Sequence, residues 1–84
     1  MHARLVRARE DLAVLDEQLA VVMESADEAR VRSLVAETPL AAHEHSEAAR
    51  HADAMAKARA ALANTVSDLE HRQDELLAAV ASAS

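Results

Sequence analysis

The chain has 84 residues, no Gly, no Cys, no aromatic residue, one Pro and a formal net charge of −6. That length holds one small domain, and an excess of Ala, Leu, Glu and Arg with almost no helix breakers excludes a sheet and predicts an all-α fold. The acidic balance and the lack of rings for base stacking disfavour nucleic-acid binding, and the absence of thiols removes disulfide and thiolate chemistry.

The first ten residues carry Arg4, Arg7 and Arg9 but lack the apolar core of a signal peptide, so a cytoplasmic location is expected. Asp11, Asp16 and Glu17 follow at once, which makes these arginines ordinary solvated charge rather than a nucleic-acid or membrane patch. No apolar run approaches the ~20 residues that cross a bilayer. Helix 1 is predicted over about residues 3–36. Leu5, Leu12, Leu19, Ala26 and Ser33 lie seven apart, as do Ala8, Leu15, Val22, Ala29 and Ala36. A heptad of this kind keeps one stripe against a partner, as in a coiled coil.

The segment Glu37-Thr38-Pro39-Leu40 is the one strong break. Pro39 suits the first position of a helix, Thr38 can cap it, and the residue before Pro is driven out of the α region. Helix 2 is predicted over about 39–81, with residues 81–84 fraying. Its seam is Ala41, Ala48, Met55, Leu62, Leu69 and Leu76, interleaved with His45, Ala52, Arg59, Val66, Gln73 and Val80.

If the chain folds back at residue 37, paired positions sum to about 74. Leu5 then meets Leu69, Ala8 meets Val66, Leu12 meets Leu62, and Leu19 meets Met55. Two seams chosen separately thus agree on a two-helix antiparallel coiled-coil hairpin. The layers near the termini are rich in Leu, while those near the turn hold Ala and Ser and should be the weaker half. His45, Arg59 and Gln73 interrupt the second seam. They are read as seam-edge residues with their heads in water; the sharper alternative pairs Arg59 with Asp11 or Asp16 to set the register.

A lone hairpin should be polar outside its seam, yet helix 1 carries Val6, Ala13, Val14, Ala20 and Val21 on the opposite face. Residues 74–84 run past the fold-back and include Leu76, Leu77 and Val80. These features predict a homodimer in which two hairpins make a four-helix bundle, with Val6, Val14, Val21, Leu76, Leu77 and Val80 as candidate interface residues.

Little points to chemistry. His43, Glu47 and His51 share a helix face and have the donor types of a divalent metal site, but a solvated face with i,i+4 contacts is the plainer reading. Asp68 and His71 form a weaker Asp-x-x-His. Ser25, Ser33, Ser46 and Ser67 have no His–carboxylate triad beside them, and a chain without Gly has no phosphate-cradling loop. No catalytic residue, cofactor or metal site is assigned.

The segments Ala13-Val-Leu-Asp-Glu-Gln-Leu-Ala20, Glu37-Thr-Pro-Leu-Ala41, His51-Ala-Asp-Ala-Met55 and Arg72-Gln-Asp-Glu-Leu-Leu77 resemble those of a group of short actinobacterial helical proteins with no assigned activity. The resemblance implies a stand-alone helical protein and supplies no ligand or catalytic residues. Helical hairpins with a charged tip also occur in factors that insert into RNA polymerase, and Glu37 sits at the tip here; this is analogy of fold alone. The function expected is therefore a non-enzymatic scaffold or adaptor acting through protein–protein contacts. The alternatives are a small metal-binding protein using His43, Glu47 and His51, or an accessory factor associated with RNA polymerase or nucleic acid.

Overall fold

The computed structural model describes residues 1–83, and the described residues form two helices and no strand, α1 over His2–Ala36 and α2 over Pro39–Ala83. The molecule measures 69 × 14 × 13 Å with a radius of gyration of 19.6 Å. A globular chain of this length would have a radius of about 12 Å. The long dimension is that of α2 alone, because 45 residues at ~1.5 Å each span about 68 Å.

The two residues between the helices carry the turn. Glu37 ends α1 in the left-handed region, at φ 51° and ψ 38°, and its N–H bonds the Ser33 carbonyl at 3.1 Å. Gly usually takes this place, since a side chain there costs roughly 1–2 kcal/mol. Thr38 starts α2: its Oγ1 accepts a 3.2 Å hydrogen bond from the Ala41 N–H, and its carbonyl accepts one from Ala42 at 3.1 Å. Pro39 follows at the first helical position, where no backbone donor is needed.

The helices run antiparallel. Leu5 and Ala8 of α1 form one buried cluster with Val66 and Leu69 of α2, and Leu12 and Leu62 pack against it. From residue 5 to 33, every α1 position three or four residues after the last is buried or half-buried, and no other α1 residue is. From 41 to 73, α2 shows the same rhythm with Ala63 added. Of the seam positions read from the heptads, Ala36, Leu76 and Val80 are exposed. Ala36 is the last residue of α1, where the chain turns away. Leu76 and Val80 lie at heights past the start of α1. The tail that was expected to fray is helical through Ala83; Ser84 lies outside the described residues.

Burial is graded along the hairpin. Leu5 is fully enclosed, at 0% exposure, whereas the buried residues nearer the turn are only Ala29 and Ala41. Small side chains remove little apolar area from water, so the terminal half carries most of the stabilisation. Leu5→Ala should cost about 2–5 kcal/mol in a urea titration followed by helical circular dichroism, enough to unfold much of the chain. Val35→Ala, at a site 81% exposed, should change stability by less than about 0.5 kcal/mol.

Candidate interaction surfaces

The side chains flanking the seam hold the two helices in one register. Arg59 donates through Nε to Asp16 Oδ1 at 2.7 Å, joining residues 43 apart in sequence. The side chains are 41% and 47% exposed. Both readings of Arg59 therefore meet in one geometry, a seam-edge residue with its head at the water surface and bonded across to Asp16. That hydrogen bond first, and the carboxylate charge second, hold the Arg59 guanidinium above its ordinary value. Arg9 and Glu70 lie 3.7 Å apart on the same flank, and Gln73 Nε2 lies 3.4 Å from His2 Nδ1.

These contacts discriminate against slippage. A slip of one heptad in one direction would set Arg59 against Met23 and Glu70 against Asp16. A slip in the other would set Arg59 against Arg9. Either way an attraction is replaced by a neutral contact or a like-charge pair, although alanine layers alone would tolerate both slips.

The histidines do not form a ligand set. His43 Nε2 lies 4.0 Å from Glu47 Oε1, and Glu47 also binds Arg50. Among the described residues no group of three His, Asp or Glu side chains is placed to hold a metal ion, His43, Glu47 and His51 included. The side chains instead pair along their own helix, as His71 with Glu75 at 2.9 Å and Lys57 with Asp53 at 3.0 Å also do. Asp68 and His71, the weaker Asp-x-x-His, belong to no such group either, and His71 lies against Glu75.

The outer faces carry the apolar side chains that the seam cannot reach. Val6, Val14, Val21, Leu76, Leu77 and Val80 are all exposed. On α1, however, the outer valines do not form one continuous stripe. Glu10, Glu17 and Glu24 sit three or four residues from Val6, Val14 and Val21 and run between the Val6 side and the Val14–Val21 side, dividing the face in two. Val21 instead borders an open groove with Gln18, Val22 and Met55 on one flank of the seam. On the other flank a second open groove is lined by Met23, Ala26, Asp27, Arg30, Ala49 and Ala52.

Sequence reasoning passed over Met23 and the tip. Leu34, Val35 and Leu40 are exposed around Glu37, so the tip is apolar as much as charged. The signal was present as spacing, because Val35 continues the Val14–Val21 row two heptads on and Leu34 continues Ala13 and Ala20. No described helix is long and apolar enough to cross a membrane.

No protein-family model, curated protein or solved structure matches this chain.

A double-mutant cycle of Asp16→Ala and Arg59→Ala should give a small favourable coupling in low-salt urea titrations that fades near 1 M salt, because both groups face water. Calorimetric titration with zinc should give no heat and no rise in melting temperature. Either signal would show that His43, Glu47 and His51 can gather around an ion.

Proposed function

We propose that this protein is a non-enzymatic helical scaffold, a coiled-coil hairpin that pairs with a second copy into a four-helix bundle and offers its remaining helix faces to a protein partner. The observation that carries this reading is surface. A folded globular protein of 9.0 kDa would expose about 4,900 Å², whereas this chain exposes 6131 Å², roughly a quarter more. The excess includes large aliphatic side chains on both helices, Val21, Leu34, Leu76 and Leu77 among them. A stable interface removes about 800 Å² from each partner, so the surplus is large enough to supply one.

Catalysis has little support in this geometry. The grooves beside the seam are open, and two helices provide no wall that would shut a reacting group away from water. The expected site of action is the cytoplasm. Sedimentation equilibrium over a wide concentration range should give a mass twice 9.0 kDa, with a monomer appearing only on dilution. A monomer at every concentration would remove the self-association half of the proposal, and the scaffold would then have to act on other proteins alone.

A further inference from the structure

Self-association, once granted, leaves open which flank of the hairpin meets its copy, and the outer valines are a poor choice because Glu10, Glu17 and Glu24 run among them with no basic row to answer them. The flank lined by Met23, Ala49 and Ala52 differs in shape and in charge. On its α2 side Ala42, Ala49, Ala56 and Ala63 recur every seventh residue, so a facing helix could approach closely. On its α1 side the heptad row is Arg9, Asp16, Met23, Arg30 and Glu37. The order of charges along that row is positive, negative, neutral, positive, negative.

Reversed, the row becomes its own complement. We infer that a second copy of this chain packs on the Met23–Ala49–Ala56 flank with α1 antiparallel to α1, about a two-fold axis at Met23. Arg9 then faces Glu37 of the second copy, Asp16 faces Arg30, and Met23 meets Met23 on the axis, with each charge pair made twice by symmetry. Moving the axis one heptad, to Asp16 or to Arg30, puts like charge on like at the axis. Moving it half a heptad sets Arg9 against Arg30 or Asp16 against Glu37. Among these axes only that at Met23 opposes unlike charges along the whole α1 row, with Arg9 standing between its own Glu70 and the second copy's Glu37, and Asp16 between its own Arg59 and the second copy's Arg30.

The apolar residues of the same flank support that axis. Leu34, exposed in the single hairpin, falls level with Ala13 of the second copy. Met23 itself is 57% exposed, in a position that water gains nothing by reaching. Arg30, held at 2.9 Å by its own Asp27, would stand between that carboxylate and Asp16 of the second copy. The overlap covers residues 9–37 and about 39–65, close to four heptads and about 40 Å of each helix. Such a length is sufficient to bury the ~800 Å² per chain that a stable pair requires. Val14, Val21, Leu76 and Leu77 stay outside the contact.

This inference rests on the self-association proposed above, and one set of variants separates the two. The chain has no Cys, so Met23→Cys, Ala56→Cys and Val21→Cys each introduce one thiol for a short bismaleimide. Sedimentation of each variant is measured alongside. The Met23→Cys chain should be captured as a covalent dimer and the Val21→Cys chain should not. Arg30→Glu should leave helicity unchanged and weaken the dimer at least about tenfold, through like-charge contact with Asp16. A dimer that crosslinks at 21 but not at 23, or at neither, overturns the inference and leaves self-association standing. Linkage only between a Met23→Cys copy and an Ala56→Cys copy overturns the antiparallel arrangement in favour of a parallel one. A 9.0 kDa species throughout overturns both.

Discussion

Two helices that touch along a single line can shelter only the inner stripe of each, and the rest of this molecule follows from that narrowness. Among the described residues the buried hydrophobic side chains are Leu5, Ala8, Ala29, Ala41, Val66 and Leu69, and four of them make one cluster far from the turn. No buried side-chain donor or acceptor among the described residues lacks a hydrogen bond, so the seam is thin without being frustrated. What it lacks is area. A chain that encloses so little apolar surface has both the reason and the exposed material to associate.

The turn and the far cluster divide the task of folding back. Thr38 and Pro39 tell the chain where α2 begins, and Glu37 accepts an unfavourable left-handed backbone so that the reversal takes only two residues. A turn of two residues bounds how far α2 can slide along α1 but does not by itself name the final layer. That information comes from Leu5 and Leu69 at one end and from the Arg59–Asp16 and Arg9–Glu70 contacts between. Exposed ion pairs add little to stability. Their value here is that each wrong heptad register brings a like-charge or neutral neighbour, which matters where the layers are alanine and would otherwise pack equally well in several registers.

The same economy accounts for the pattern of the surface. Acidic and basic side chains mostly pair within their own helix, at three or four residues' spacing, as Asp27 with Arg30 and Asp53 with Lys57 do. This habit draws Glu47 toward Arg50 and His43, so the three side chains that spacing places on one face do not converge on a point. Sharing a helix face is a much weaker condition than sharing a ligand sphere, because helical neighbours diverge from the axis.

The all-helical character, the reversal at Pro39 and the pairing of Leu5 with the Leu69 layer were legible in the residues alone. Helix propensity, a lone proline and a strict seven-residue period are local properties that need no neighbour to be read. The tertiary structure alone decided the rest: that Ala36 falls outside the seam, that Arg59 chooses Asp16 over Asp11, and that Met23, Ala49 and Ala52 gather on one flank while Val21 and Met55 gather on the other. A period marks which side of a helix faces its partner. Which side chains of two different helices end up together on a flank depends on how each helix is turned about its own axis against the other, and no single stretch of sequence contains that angle.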